Sequence, residues 1–137
     1  MKIKELLSEY AKVEGQMNIA LAEYQKEEEK QLESMKSLSD IDDLPSGTKR
    51  INQVEEQALA LNDKYQIFIK YKNRWEKLKE QIVDLIYKLP NQSMMEIVYF
   101  RYLNSKQWVD VSDKVGYSVK QCQRIRNTAL EIMERHL

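Results

Sequence analysis

The sequence predicts an all-α protein: a long antiparallel helical hairpin followed by a C-terminal three-helix, helix-turn-helix domain. Three observations predict it. Only three glycines and two prolines interrupt 137 residues, so turns are few and long helices are favoured. Two blocks of sequence carry apolar residues seven apart, the repeat of paired helices. The last third carries serine caps and a glycine at the spacing of short helices.

The first block runs from Ile3 to Leu38. Ile3, Tyr10, Met17, Tyr24 and Leu38 lie seven or fourteen apart, and Leu6, Val13 and Ala20 fill the alternate position. Glu27, Gln31 and Ser34 break the stripe near its end, so the helix is expected to bind its partner less well there. Pro45, Ser46 and Gly47 then signal a loop over about 39–50. From Ile51 the pattern resumes: Val54, Leu61, Phe68, Trp75, Ile82 and Leu89 are seven apart, with Ile51, Ala58, Tyr65 and Ile86 at the partner position and Lys72 and Lys79 interrupting it. Helices of this length, at 1.5 Å per residue, would be about 50–60 Å long. The short connection favours antiparallel pairing. Stripes on both arms leave apolar surface for a second copy, so a homodimer is expected. Residues 1–89 are read as this hairpin and 90–137 as a separate domain.

Pro90 ends the second helix, because proline disfavours helix at the residue before it. Ser93-Met94-Met95-Glu96 has capping-box spacing and is read as opening a helix through about Leu103. Ser105 is read as the cap of a second helix ending near Val115. Gly116 supplies the positive φ of a tight turn. Ser118-Val119-Lys120-Gln121 repeats the capping box and opens a last helix to about Arg135.

Charge separates the two ends of the chain. Residues 1–45 hold six basic and eleven acidic side chains, whereas 94–137 hold seven and five. The acidic N-terminal segment is a poor candidate for nucleic-acid contact, and the C-terminal third a better one. From Lys114 to Leu130 there are four cations, Lys114, Lys120, Arg124 and Arg126, and no acid. On the last helix Cys122, Ile125, Ala129 and Met133 share one face, expected to pack on Val111, Val115 and the preceding helix. Lys120, Arg124, Asn127 and Glu131 lie opposite, flanked by Gln121, Gln123 and Thr128. Lys120, Gln121, Gln123, Arg124, Asn127 and Thr128 are side chains that hydrogen-bond base edges and phosphates: arginine can bind guanine with two hydrogen bonds, and Gln or Asn can do the same with adenine. A recognition helix carries such residues in its N-terminal half, which enters the major groove. Gly116 and Ser118 would shape the turn and the cap.

These residues also carry a resemblance. "LPNQSMMEIVYFRYL" followed by "WVDVSDKVGYSVKQCQRIRNTALEIM" resembles the C-terminal, promoter-recognising domain of bacterial sigma factors. It is more closely similar to phage late transcriptional regulators of the ArpU and RinA type. The matching elements are Leu89-Pro90, Arg101-Tyr102, Trp108, Val111, Gly116-Tyr117-Ser118, Arg124-Ile125 and Ala129-Leu130, over about 45 of the 137 residues. The resemblance implies a sequence-specific DNA-binding regulator of prophage genes, with Lys120, Gln121, Arg124 and Asn127 on the reading face; contact with host RNA polymerase as well as DNA, and DNA binding alone, both stay open. Cys122 stands where an aliphatic residue is usual. The sequence has no counterpart of a promoter-melting domain, so a regulator is expected rather than a sigma factor.

Other features are read as structural. Lys70, Arg74, Lys77 and Lys88 share one helix face, expected to be solvated. Tyr65, Phe68, Tyr71 and Trp75 have the spacing of a helix–helix core, and Trp108 is expected to anchor its helix to the one before. Cys122 and His136 are the lone cysteine and histidine, so neither an intrachain disulfide nor a zinc site is expected. No phosphate loop and no activated nucleophile is present, and a cofactor-free non-enzyme is expected. No apolar run reaches 18 residues, and the N-terminus turns acidic too early for a secretory signal, so the expected compartment is the cytoplasm. Two other functions fit the same elements: a DNA-packaging recognition subunit resembling a phage small terminase, and a protein-only adaptor that binds polymerase.

Overall fold

The computed structural model describes the backbone of residues 2–39 and 47–137 and the side chains of residues 2–36 and 53–137. The chain is all-α. Helix α1 spans Ile3–Ser39, α2 Gly47–Tyr87, α3 Gln92–Val98, α4 Trp108–Val115 and α5 Val119–Arg135. A wider π turn, Tyr99–Leu103, continues α3. The described residues contain no strand. Of the loop expected over about 39–50, Ser39 belongs instead to α1 and residues 47–50, Gly47 among them, to α2; Pro45 and Ser46 lie outside the described residues, as do the side chains of Leu38 and Ile51. Helix α2 starts at Gly47, four residues ahead of the first apolar position.

The described residues fall into two compact units: Met1–Val13 with Trp75–Leu137, and Glu14–Arg74. In the first unit Tyr10 stacks on Trp75, ring centroids 6.1 Å apart. One core joins Ile3, Leu6 and Tyr10 of α1, Ile82, Leu85 and Ile86 of α2, Val98, Leu103, and Ala129, Leu130 and Met133 of α5. The expected division at 89/90 therefore falls inside this unit. Each fully buried aliphatic side chain contributes about 1.5–3 kcal/mol, so this core is the main source of the fold's stability. A second, smaller cluster of Ile97, Val111 and Cys122, with Phe100, Trp108, Val115 and Ile125 packed on it, holds α3, α4 and α5 together.

In the second unit burial fades. Ala20 is its one buried residue among those described, and Ile19, Leu32, Met35, Val54, Leu59 and Ile67 are exposed. Tyr24 and Tyr65 meet with ring centroids 5.6 Å apart. The Gln31 amide donates to the Gln57 carbonyl, and the Gln57 amide donates to Ser34 Oγ at 3.2 Å. Two of the polar residues that break the first heptad stripe, Gln31 and Ser34, thus both bond Gln57 of α2. The aromatic run of α2 is less enclosed than its spacing predicts. Tyr65 is 42% exposed, and Phe68, Tyr71 and Trp75 are half-buried. Lys79, at an apolar register position, is accommodated by laying its ammonium 5.0 Å from the Trp75 ring centroid. Lys70, Arg74, Lys77 and Lys88 are exposed.

Three further helix boundaries differ from the sequence reading. Helix α2 ends at Tyr87, not Leu89, and the next two amides close tighter turns, Lys88 N–H to Leu85 O and Leu89 N–H to Ile86 O. Helix α3 is capped by Asn91, not Ser93. Asn91 is extended (φ −143°, ψ 160°), and its Oδ1 accepts from the Met94 amide at 3.0 Å. Ser93 lies within the helix, and Glu96 accepts instead from the Gln92 side chain at 2.9 Å. Ser105 does not cap α4. It is left-handed, φ 52°, whereas a cap must be extended. Gln107 takes that place without a side-chain bond. Side chains satisfy a carbonyl at the end of the π turn and one in the segment after it: Tyr10 Oη donates to Leu103 O at 3.5 Å, and Arg101 Nη1 to Lys106 O at 3.0 Å.

Candidate nucleic-acid interface

The turn between α4 and α5 is built as its residue types require. Gly116 is left-handed, φ 79°, and its amide donates to Ser112 O at 3.0 Å, closing α4. Ser118 is extended, and its Oγ accepts from the Gln121 amide at 3.2 Å, opening α5. The Tyr117 carbonyl between them accepts from the Ser112 hydroxyl and from the Cys122 thiol, the latter at 3.7 Å. The inward face of α5 is Cys122, Ala129 and Met133, all buried, with Leu130 beside them. Burial pushes the Cys122 thiol up from its ordinary pKa, so it is a neutral donor. Ile125 is half-buried against the smaller cluster.

The outward residues divide into two groups. Lys120, Gln121 and Arg124 are exposed on the first two turns of α5. None of the described residues bonds the ends of these three side chains. The remaining three are engaged or set back. Gln123 is half-buried. Thr128 Oγ donates to the Arg124 carbonyl at 3.4 Å, turning its hydroxyl onto its own helix. Asn127 Oδ1 accepts from Arg126 Nε at 2.7 Å. The same stripe turns acidic further on, where Glu131 and Glu134 are both exposed, so its acid-free part is the helix's N-terminal half.

More cations lie around this unit. The guanidinium carbons of Arg101 and Arg126 lie 4.9 and 5.0 Å from the Trp108 ring centroid. Trp108 packs on the cluster of Ile97, Val111 and Cys122, so it does join α4 to α3. Lys114 Nζ lies 4.6 Å from the Phe100 centroid. The neighbouring Lys106 ammonium holds the Lys114 pKa below the ordinary lysine value. A like charge this close disfavours the charged form of Lys114.

The packing also brings in residues that sequence reasoning left aside. Ile3, Leu6 and Leu7 of α1 share a core with Leu130 and Met133 of α5. Lys4 therefore lines one cleft with Asn127 and Arg126, although its segment is acidic overall. No local signal could have placed it there, because the contact joins the two ends of the chain. Among the described residues no group of His, Cys, Asp or Glu could hold a metal ion. No described helix is long and apolar enough to cross a membrane.

Fold and surface together define a class: an all-helical protein whose last helix presents a basic, amide-bearing face beyond a tight glycine turn. The chain belongs to the family described as "Protein of unknown function (DUF722)", whose model matches residues 1–135. No curated protein and no solved structure matches it.

Proposed function

We propose that the protein is a sequence-specific, double-stranded-DNA-binding transcriptional regulator, of the phage or prophage late-gene kind, working in a bacterial cytoplasm. One observation carries this reading. Lys120, Gln121 and Arg124 project, with no partner among the described residues, from the first turns of a helix set behind a capped tight turn. The N-terminal half of such a helix fits the major groove, where Arg reads guanine and Gln reads adenine. Asn127 and Thr128 take a lesser part, because protein groups already engage them. The unit Glu14–Arg74, with apolar residues left exposed, supports a homodimer. Two copies would read half-sites about 34–36 Å apart where adjacent turns are used. Contact with host RNA polymerase belongs to the same proposal.

The test is selection from a pool of random duplexes at two salt concentrations, with sequencing of what is retained. Enrichment of a two-part site, with affinity falling steeply in salt, is the expected result. Binding without enrichment, with a native mass of many copies, points to a packaging subunit. No binding at low salt overturns the proposal and leaves a protein-only adaptor.

A further inference from the structure

The cleft between the start of α1 and the middle of α5 has an unusual hydrogen-bonding balance. Its volume is about 420 Å³, and its polar lining is Lys4, Ser8, Tyr102, Arg126 and Asn127, over a floor that includes Leu130. None of the described residues lining it is acidic. Internal bonds occupy one lone pair on each acceptor and leave the donors. Asn127 spends its carbonyl oxygen on Arg126 Nε, which leaves its amide hydrogens. The Tyr102 oxygen accepts from Arg126 Nη1 at 3.1 Å, which leaves its own hydrogen to donate. Arg126 has five N–H groups, of which these bonds use two. Lys4 adds an ammonium that forms no ion pair among the described residues, and only Ser8 can act either way. The adjoining cleft, about 640 Å³, makes the contrast: Glu5, Glu131 and Glu134 line it alongside Lys2 and Lys4. Lys4, Asn127 and Leu130 line both clefts, and the acids lie only in the second.

We infer that the cleft formed by Lys4, Tyr102, Arg126 and Asn127 is a phosphate-binding site. A lining that offers donors and positive charge is completed by an oxyanion with several acceptor oxygens, and a phosphate meets that demand. The phosphate can come from two sources, a diester of the DNA backbone or a free small phosphate. The first source rests on the DNA-binding reading above. Asn127 shares its helix stripe with Lys120 and Arg124, which places the cleft beside the face proposed to read DNA. Arg126 also lies against Trp108, which ties the site to the packing of α4.

The experiment is an NMR titration of the full chain, following the side-chain resonances Arg126 Nε–H and Asn127 Nδ–H2. Inorganic phosphate is added at constant ionic strength, with sodium chloride as the control. Saturable shifts with phosphate and none with chloride are expected. Lys4→Gln, an exposed change that leaves the core untouched, raises the midpoint about two- to fivefold, and Lys4→Arg restores it. Equal shifts with chloride, or no effect of Lys4→Gln, overturn the site. A duplex arm separates the sources. With DNA as the source, Lys4→Gln lowers the salt slope of duplex binding by about one without changing sequence preference. Phosphate binding with an unaltered slope assigns the site to a free small phosphate. Phosphate binding by a protein that binds no duplex overturns the proposed function and leaves the site standing.

Discussion

The Cys122 thiol lies 3.7 Å from the Tyr117 carbonyl oxygen, across the turn that precedes its own helix. An aliphatic side chain at this position would fill the same space without a donor. The thiol does both, as a small apolar group with a weak S–H bond. Because burial raises its pKa, little thiolate is present at neutral pH. Native protein should therefore react with a thiol reagent far more slowly than unfolded protein. Cys122→Ala should cost about 1–2 kcal/mol, as a small deletion from a fully packed site. Equal labelling rates in native and urea-unfolded protein would show that the thiol is accessible and the turn open.

The caps give a paired prediction. Asn91→Ala and Ser118→Ala each remove a side-chain acceptor from a helix's first turn. Each should cost about 1 kcal/mol of unfolding free energy. Ser93→Ala should have little effect, since Ser93 sits one residue inside α3 and Asn91 holds the cap. Denaturant melts of the three variants decide this. A Ser93 variant weaker than the Asn91 variant would return the cap to Ser93.

On the outer face of α5, Arg124 and Lys120 are expected to behave differently. Arg124→Ala should cost ~1–3 kcal/mol at one base position and relax specificity there. Lys120→Ala should weaken all sequences nearly equally and lower the salt slope by about one. Binding to a panel of single-base variants of the selected site reads both effects. A uniform loss for Arg124→Ala would make it a phosphate contact instead.

What could be read ahead of the structure was whatever one helix encodes in its own pattern. Helix α5 was legible because its serine cap, its apolar face and its polar face all agree. The hairpin was legible because its heptads persist for dozens of residues. The start of α3 was not, because Asn91 and Ser93 both carry cap chemistry and the extended backbone after Pro90 decides between them. The π turn at Tyr99–Leu103 and the left-handed Ser105 have no distinct sequence signature. The face of α5 was legible residue by residue, but not that Asn127 and Thr128 are engaged by their own helix. Least legible was the packing of Ile3 and Leu6 near Leu130 and Met133, a pairing of the chain's two ends that periodicity does not contain. The cleft of Lys4 and Arg126 follows from that pairing and was hidden with it.

The contrast between the two compact units leads to the last prediction. Ile82 is fully buried in the first, and Ile82→Ala should cost about 2–5 kcal/mol. Ile67, in the second, is 47% exposed, beside a groove that it lines with Ile19, Ala20 and Tyr71. In an isolated chain Ile67→Glu should change stability by no more than about 0.5 kcal/mol, as for other surface sites. In a two-fold dimer through this unit the same change strikes both copies. Burying an isoleucine is worth about 1.5–3 kcal/mol, so two losses would weaken association by about two to four powers of ten. Light scattering at micromolar concentration should then read a dimer for the wild-type chain and a monomer for Ile67→Glu. Melting temperature should rise with protein concentration only for the former. A wild-type monomer at that concentration would remove the dimer, and with it the expected half-site spacing. A dimer that survives Ile67→Glu would move the interface to other residues.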